Sequence, residues 1–417
     1  MRVFAFFLLC SVASSTVSAW ENWPQWRGPN SDGVAQGSGY PVEWSTSKNV
    51  RWKFPLPGRG ASSPVVWGDL IIVTCGADEQ NLVLGIDRKG NKKFQTMVNK
   101  EVAGKNKKAS GSNPSAVTDG ERIFVYFKSG DFACLDMDGK LLWQHNLQSM
   151  YGADTLWWDL GTSPVLTSDA VVVACMHSGP SYVAAFDKAT GKLKWKVDRN
   201  VEAPSEAAQS YTTPVVAGKG DAETIYVLGA DHITAHRAAD GKELWRVGDL
   251  NPQKNGFFRS IASPVVSGDI LVAPYARGST LTAVKLGGSG DVTGSHVLWT
   301  KSGLSADVPT PASRDGKIYV CTDRGEVACL DAKSGEKIWA GNPEPNRNAY
   351  SASPVLADGR IYVTREDGKT FVLSQGGEFK VLAQNAMDGE SVVATPTFVD
   401  GMILLRTFEN LYCIGNK

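Results

Sequence analysis

A short serine- or threonine-proline motif recurs through this chain at nearly constant spacing. Eight copies occur, at Ser63-Pro64-Val65, Asn113-Pro114, Ser163-Pro164-Val165, Thr213-Pro214-Val215, Ser263-Pro264-Val265, Thr310-Pro311, Ser353-Pro354-Val355 and Thr395-Pro396. The prolines are 50, 50, 50, 50, 47, 43 and 42 residues apart. Such a period is typical of solenoid units or propeller blades, so a repeated architecture is predicted for most of the 417 residues.

Each repeat unit has the pattern of four short strands. In the third unit, apolar runs fall at residues 164–166, 171–175, 182–186 and 193–195, with a turn over 187–192 before the last run. These runs lack the 3.6-residue period that a helical solenoid would require. The predicted fold is all-β, an eight-bladed β-propeller of four-stranded antiparallel blades. Seven blades are the alternative if the unit around Pro311 or Pro354 is irregular.

An aromatic residue closes most units, and a small residue precedes most turns. The aromatic positions are Phe94, Trp143, Trp195, Trp245, Trp299 and Trp339, with Leu382 in the seventh unit. The facing third-strand positions are Gly85, Cys134, Ala185, Ala235, Ala283, Cys329, Leu373 and Cys413. A buried indole removes roughly 150–250 Å² of surface from water, so these rings are predicted to pack between blades and not to bind a cofactor.

The last unit lacks a fourth strand of its own. After Pro396 it has apolar runs only at 402–406 and 411–414. A further strand pattern, residues 49–54 with Trp52 at its centre, precedes the first unit. We therefore expect the N-terminal strand to pair with the last blade and close the ring, because closure removes the exposed edges of an open sheet stack.

The N-terminus has the pattern of an export signal. A basic residue precedes an apolar run over 3–9, and small residues follow as far as Ala19, after which cleavage is predicted. The chain thus divides into a signal peptide (1–19), an N-terminal lead segment (20–48) and the β-propeller (49–417). No later stretch has the roughly 18 uninterrupted apolar residues of a membrane span. The predicted location is periplasmic or secreted.

Charge narrows the choice of partners. The 43 basic and 43 acidic residues cancel, which argues against nucleic acid or an anionic membrane surface as a partner. We expect a monomer whose partner is an envelope protein, a peptide or a small ligand.

The turn before the fourth strand carries a recognisable motif. Residues 187–195 and 331–339 read Asp-x-x-Thr/Ser-Gly-x-x-x-Trp, and residues 136–143 are a shorter form. This motif resembles the PQQ-type repeat of the quinoprotein-like β-propeller superfamily, and the resemblance covers nearly all of residues 50–417. Two branches are implied: quinone-dependent alcohol dehydrogenases and the non-catalytic outer-membrane assembly factor of the BamB type. The lead sequence at 23–29, Trp-Pro-Gln-Trp-Arg-Gly-Pro, is similar to exported bacterial propellers of this repeat type.

The dehydrogenase branch implies features that can be sought in the sequence. Those enzymes stack their quinone between a tryptophan and a disulfide of adjacent cysteines, beside a calcium ion held by Glu, Asn and Asp. This chain has neither adjacent cysteines nor a Cys-x-x-Cys-His haem motif. We therefore predict no catalytic, cofactor-binding or metal-binding residues. Pyrroloquinoline quinone (PQQ) with calcium enters only under the alternative that the chain is a quinone-dependent oxidoreductase.

The histidines and cysteines give little further indication of chemistry. His232 and His236 are four residues apart, which on a strand places them about 13 Å apart and argues against a shared metal ion. Cys321 and Cys329 fall on adjacent predicted strands and are the one disulfide candidate, while the other cysteines are predicted to be buried thiols. The basic stretch at 105–108 is predicted to face solvent.

We call the proline motif of each repeat unit its anchor. Residues three to seven positions before the anchor proline are predicted to form one rim of the central channel, where propellers usually bind ligands. The ligand-binding candidates are Arg59, Trp157, Trp158, Asp159, Gln209, Tyr211, Arg259, Asp307, Arg347, Tyr350 and Glu390. Arginine, tryptophan and tyrosine are enriched at binding hot spots, although ordinary polar loop residues would also fit. The predicted function is an exported, non-enzymatic binding or scaffold propeller of the cell envelope, with a PQQ-dependent oxidoreductase as the alternative.

Overall fold

The structure, a computed structural model, describes residues 20–387 and 389–416. Within them, strands form eight sheets that stand side by side around a central axis. The predicted signal peptide, residues 1–19, lies outside the described residues. The prediction of eight blades is confirmed and the seven-bladed alternative is wrong.

The strands follow the chain from blade to blade. Strand β1 is Val50–Pro55; blade 1 contains β2 (Val65–Trp67), β3 (Leu70–Ala77), β4 (Gln80–Asp87) and β5 (Lys92–Lys100). Blade 2 contains β6 (Val117–Thr118), β7 (Arg122–Tyr126), β8 (Asp131–Asp136) and β9 (Leu141–Asn146). Blade 3 contains β10 (Val165–Leu166), β11 (Ala170–Cys175), β12 (Tyr182–Asp187) and β13 (Leu193–Asp198). Blade 4 contains β14 (Val215–Ala217), β15 (Thr224–Gly229), β16 (His232–Arg237) and β17 (Glu243–Val247).

The second half of the ring repeats the arrangement. Blade 5 contains β18 (Val265–Ser267), β19 (Ile270–Tyr275), β20 (Thr280–Lys285) and β22 (Val297–Ser302), while the short β21 (Gly290–Asp291) pairs in parallel with β17 of blade 4. Blade 6 contains β23 (Ala312–Arg314), β24 (Lys317–Cys321), β25 (Val327–Asp331) and β26 (Lys337–Gly341). Blade 7 contains β27 (Val355–Ala357), β28 (Arg360–Thr364), β29 (Thr370–Ser374) and β30 (Val381–Asn385). Blade 8 contains β31 (Thr397–Val399), β32 (Met402–Arg406) and β33 (Asn410–Gly415).

Among residues 20–387 and 389–416, the helical elements are short and lie in the connections. Two α-helical turns span Leu147–Tyr151 and Thr293–His296. Three 3₁₀ turns span Ser205–Ala208, Gly220–Ala222 and Ala276–Gly278.

The ring is closed as predicted. Strand β1 pairs antiparallel with β33, and Trp52 lies opposite Cys413. Blade 8 therefore takes its outer strand from the N-terminal part of the propeller and its three inner strands from the C-terminal part. This pairing leaves no blade with a missing outer strand among the described residues.

The hydroxyl group of each anchor explains why the motif recurs. The amide of Ser63 donates to Oγ of Ser115 (2.9 Å), and the amide of Ser115 donates to Oγ of Ser163 (2.9 Å). The same bond continues from blade to blade through Thr213, Ser263, Thr310, Ser353 and Thr395. Each bond satisfies a buried amide that has no neighbour in its own sheet. We call these eight residues the anchor hydroxyls.

In blade 2 the proline motif lies two residues before the position that is equivalent to the other anchors. Val117 pairs with Phe124 as Val65 pairs with Ile72 in blade 1, so Ser115 is the equivalent of Ser63. The motif at Asn113-Pro114 precedes the true anchor by two residues. The physical requirement at this position is the acceptor oxygen, because blade 2 keeps the serine without a proline after it.

The closing tryptophans join each blade to the next. The indole Nε1 of Trp143 donates to the carbonyl oxygen of Lys188, and that of Trp195 donates to Ala238. Equivalent bonds of 2.8–3.1 Å are made by Trp52, Trp299 and Trp339 to the carbonyls of Arg88, Ala332 and Gly376. Each acceptor lies in or beside the turn that precedes the fourth strand of the following blade. The predicted packing role of these rings is confirmed.

The turn glycines are required for two separate reasons. Gly241 has a φ of +73°, which a side chain disfavours, and a Cβ added there would lie 2.4 Å from the ring of Trp195. Gly359 also has a positive φ, +71°, but a Cβ there would meet no atom within 4 Å. The two glycines thus share the backbone requirement and differ in the requirement for space.

Replacing Gly241 with alanine is expected to destabilise the protein by about 2 kcal/mol more than replacing Gly359 with alanine. Both variants lose about 1 kcal/mol because alanine disfavours the left-handed backbone conformation. Only in Gly241→Ala does the new Cβ also displace the indole of Trp195. Urea unfolding of the two variants measures the difference. Equal losses would show that the tryptophan does not constrain the turn.

Blade 7 departs from the pattern predicted by sequence. Val372 pairs with Ala383, at the register position that a small residue and an aromatic residue occupy in the other blades. The predicted pair of Leu373 and Leu382 is therefore wrong by one residue, and Leu382 is 41% exposed. Because side chains alternate between faces, this one-residue shift places the predicted residues on the wrong side of the sheet.

The lead segment supplies the ring that blade 7 lacks. In blades 2, 4 and 6 the closing tryptophan lies 5.8–6.3 Å from an aromatic residue of the second strand. Tyr362 is that second-strand residue in blade 7, and Trp44 stacks on it at 6.4 Å. The Trp44 amide donates to Oδ1 of Asn385 (2.8 Å), which fixes the lead segment to the end of β30. Trp44 thus replaces an intrablade tryptophan.

Candidate functional site

A funnel opens at one mouth of the central channel. The short first strands of the blades surround the axis, and the loops that precede the anchors form the wall above them. The cavity measures about 510 Å³ and contains six of the anchor hydroxyls at its wall. Its size falls within the range of small-molecule sites.

The lead segment closes the opposite mouth. Trp23 exchanges two backbone hydrogen bonds with Val66, and the guanidinium of Arg27 donates to the carbonyls of Pro311 and Pro354, both at 2.7 Å. Arg27 is 1% exposed, and burial lowers its pKa to about 10. The channel is therefore a blind cavity and not a pore through the ring.

Trp26 forms the floor of this cavity. It lines the funnel and also lines a much smaller cavity of about 10 Å³ on the side of Arg27. Sequence reasoning missed Trp26 as a site residue. The signal that could have found it was the second tryptophan of the Trp-Pro-Gln-Trp-Arg-Gly-Pro motif, since one tryptophan is enough to pack a lead segment.

Four of the predicted rim residues line the funnel itself: Trp158, Asp159, Arg259 and Tyr350. Arg259 pairs with Glu206 (3.4 Å) and lies 5.9 Å from the ring of Trp158. The hydroxyl of Tyr350 is buried without a hydrogen-bond partner among the described residues. These side chains converge on one cavity although they come from three different connections.

Asp307 completes the charge pairing at this wall. Its carboxylate lies 3.0 Å from the guanidinium of Arg259, and Asp323 accepts from the amides of Asp307 and Val308. Burial raises the pKa of both Asp307 and Asp323, and the nearby guanidinium of Arg259 opposes that rise. The carboxylates are thus held by fixed donors.

Three further predicted residues lie on the same sector of the rim but outside the funnel wall. Gln209 and Tyr211 are buried and accept hydrogen bonds from the backbone amides of Trp157 (2.9 Å) and Trp158 (3.2 Å). Trp157 itself is 50% exposed on the rim. Gln209 and Tyr211 therefore position the neighbouring loop.

Arg59, Arg347 and Glu390 are not among the residues that line the funnel. Arg59 lies over the ring of Phe408 at 4.4 Å, and Arg347 is exposed. Glu390 accepts from Thr407 (2.7 Å) and pairs with Lys53 of β1, so it helps to hold the ring closure.

The basic stretch at 105–108 is exposed, as predicted, and it also contributes to the site. Lys108 lines the funnel and pairs with Glu366 of blade 7 at 2.7 Å. The amide of Lys105 donates to the carboxylate of Asp159 (2.8 Å), which also binds the buried Lys128. The loop therefore folds over part of the funnel mouth instead of facing only solvent.

The described residues offer no obvious metal or redox centre. No group of three or more His, Cys, Asp or Glu side chains is placed to hold a metal ion within residues 20–387 and 389–416. Cys321 lies opposite Val327 and Cys329 opposite Tyr319, and both thiols are free, so the candidate disulfide is not formed. Burial raises the pKa of the Cys134 thiol to about 12 and that of Cys75 to about 11.

Comparison with solved structures defines the class. BamB from Moraxella catarrhalis matches with a TM-score of 0.64 at 16% identity, covering 88% of this chain and 97% of that one. Quinohemoprotein alcohol dehydrogenase from Comamonas testosteroni matches with a TM-score of 0.64 at 12% identity, covering 95% of this chain and 81% of that one. These likenesses show the fold, that of an eight-bladed β-propeller.

Sequence comparison defines the family within that class. The family model for the outer membrane protein assembly factor BamB matches residues 33–218, 158–297 and 289–390. BamB of Yersinia pestis is 23% identical over 341 residues, which cover 79% of this chain and 78% of the relative. The chain belongs to the BamB family of PQQ-type propellers.

None of the helices in the described part of the chain combines the length and the apolar character needed to cross a bilayer.

Proposed function

We propose that this chain is a non-enzymatic binding scaffold of the cell envelope that acts in outer membrane protein assembly. Membership in the BamB family supports the process, since the relatives are named for it. The predicted signal peptide at 1–19, with 20–48 and 49–417 as the mature lead segment and propeller, supports export to the periplasmic side. The expected partner is a protein or peptide, and the balanced charge again argues against nucleic acid.

The observation that carries this proposal is a set of three exposed aromatic rings on neighbouring loops of the funnel rim. Trp157 is 50% exposed, Trp158 is 44% exposed and Phe257 is 62% exposed. We call these three residues the rim aromatic patch. Large aromatic side chains that remain exposed beside a polar surface are typical of protein-binding sites.

The rim aromatic patch is held rigidly. Glu206 accepts from Nε1 of Trp158 (2.7 Å) and pairs with Arg259. The amide of Ala207, next along the chain, donates to the carbonyl of Gly256, which precedes Phe257. Three neighbouring loops are thereby joined, so the backbone that carries the rings would need little reordering when a partner binds.

The test uses the organism that encodes the chain. Deletion of the gene should lower the amount of folded β-barrel proteins in the outer membrane, and the native chain should restore it. A Trp157→Ala/Phe257→Ala variant should restore much less, because it removes the exposed rings and leaves the joined loops intact.

The matched control is Leu142→Ala/Leu298→Ala. These leucines are 44% and 42% exposed on the outer strands of blades 2 and 5, away from the rim. The chain that carries both replacements should restore the outer membrane proteins of the deletion strain fully. Full restoration by the rim variant as well would contradict the rim aromatic patch as the binding surface, and an unchanged deletion strain would contradict the process.

The oxidoreductase alternative fits the funnel poorly. Three cationic side chains (Lys108, Arg259, Arg277) and three anionic ones (Asp159, Asp323, Glu366) line it, so the wall offers no excess positive charge to a tricarboxylate quinone such as PQQ. The chain also lacks the adjacent cysteines of the dehydrogenase branch. Dye reduction by the protein supplied with PQQ, calcium and an alcohol would nevertheless favour the oxidoreductase over the non-enzymatic scaffold.

A further inference from the structure

Binding of a partner at the rim aromatic patch does not account for the partly exposed indole of Trp26 at the floor of the funnel. Trp26 is only half-buried, and its indole borders the cavity of about 510 Å³. Within the described residues, no aromatic ring stacks on it and its Nε1 has no recorded hydrogen bond. Packing of the lead segment is already provided by Trp23 and Trp44, which are 2% and 4% exposed. An indole whose face borders an open cavity can stack against a ligand.

The position of Trp26 is fixed by its neighbours. Nε2 of Gln25 donates to Oγ of Ser31 at 3.0 Å, and Arg27 is bound to blades 6 and 7 through two carbonyls at 2.7 Å. The floor is therefore preorganised, so a ligand would not have to order it.

The wall above the floor offers hydroxyl groups with free protons. Six anchor hydroxyls line the funnel: Ser63, Ser115, Ser163, Thr213, Ser353 and Thr395. Most of them accept an amide hydrogen from the preceding blade, and none donates a hydrogen bond within residues 20–387 and 389–416. Tyr350 also lines the funnel, but its hydroxyl is enclosed beneath the surface.

The charges of the wall select against an ionic ligand. Lys108 is paired with Glu366 at 2.7 Å, and Arg259 is paired with Asp307 at 3.0 Å. Asp159 is paired with Lys128 at 2.6 Å, with both side chains buried. A strongly charged ligand would have to break such pairs and leave a buried partner uncompensated.

We propose that the funnel binds a neutral sugar, with the apolar face of a pyranose ring on Trp26 and its hydroxyls against the anchor hydroxyls. A pyranose combines an uncharged C–H face with a periphery of hydroxyl donors and acceptors, which matches an indole floor and a hydroxyl wall. Glu366, fixed by Lys108, is an additional acceptor. This proposal does not depend on the rim aromatic patch.

The test measures binding of N,N′-diacetylchitobiose and of maltose to the full chain by calorimetry and by ligand-observed NMR. We expect at least one of them to bind with a dissociation constant of about 1 mM or below. Trp26→Ala should weaken that binding by about tenfold, and Trp26→Phe should retain most of it because an aromatic face remains. Tyr350→Phe should bind the sugar as the native chain does, because its hydroxyl is enclosed and does not face the cavity.

The controls separate this site from the rim. Trp157→Ala should bind the sugar as the native chain does, even if it fails in outer membrane protein assembly. The thermal transitions of Trp26→Ala and Trp26→Phe are measured alongside, so that a loss of binding is distinguished from a failure of folding. Absence of binding by both sugars at about 10 mM would overturn the proposal. So would sugar binding that is unchanged in a folded Trp26→Ala variant, or Trp26-dependent binding of PQQ in place of the sugars.

Discussion

Replacing Trp44 with alanine is expected to lower the free energy of unfolding by about 4 kcal/mol, within the range for a buried tryptophan. The ring is 4% exposed and stacks on Tyr362 between blades 7 and 8. Its loss would leave a cavity that Ala383 and Val372 are too small to fill. Urea unfolding followed by circular dichroism measures the effect.

A compensating change makes this prediction specific. Introducing Ala383→Trp together with Val372→Ala gives blade 7 the pair of small and aromatic residues found in the other blades. In the Trp44→Ala background these two changes should recover about half of the lost stability, whereas with Trp44 present they should destabilise by about 1–3 kcal/mol through overpacking. Additive effects in the two backgrounds would contradict the replacement of one ring by the other.

Replacing Trp52 with alanine is expected to cost about 3 kcal/mol, because the indole packs in the core, lies over Gly90 and donates to the carbonyl of Arg88 at 2.8 Å. The change weakens the one pairing that joins the first strand of the propeller to its last. Limited proteolysis should therefore cut the variant first near residues 49–55 and 410–416.

Two other tryptophans serve as controls for Trp52. Trp143→Ala removes an equivalent docked indole from within blade 2 and should cost a similar amount without favouring cleavage near the termini. Trp20→Ala removes a ring that is 47% exposed and should change stability by less than about 0.5 kcal/mol. A Trp52→Ala variant as stable as Trp20→Ala would show that ring closure does not depend on this side chain.

Most of the fold could be predicted from the sequence repeat, because blade geometry imposes the same local requirements eight times. Errors arose where one unit meets a requirement in another way. Blade 2 keeps the anchor hydroxyl at Ser115 without a following proline, so the proline at 114 misled the alignment. Blade 7 takes its ring from Trp44, more than 300 residues away, and no local pattern reports a contact of that kind.

The site was harder to predict than the fold. Spacing before the anchors placed Trp158, Asp159, Arg259 and Tyr350 correctly on the funnel side of the ring. It could not separate wall residues from supports such as Gln209, because loop conformation decides which side chains face the cavity. The floor comes from outside the repeat altogether, so repeat periodicity carries no information about it.

The pairing of β1 with β33 also constrains how the chain reaches its native state. Val50 and Ile414 are neighbours in space although nearly the whole propeller lies between them in sequence. The lead segment likewise rests on blades 6 and 7, which are synthesised late. During synthesis, Trp44 and Trp52 remain without their late partners, Tyr362 and strand β33, as apolar surface on an unfinished protein. Assembly is thus slow by topology and exposed to aggregation until the final strand arrives, a demand that folding helpers of the destination compartment would have to meet.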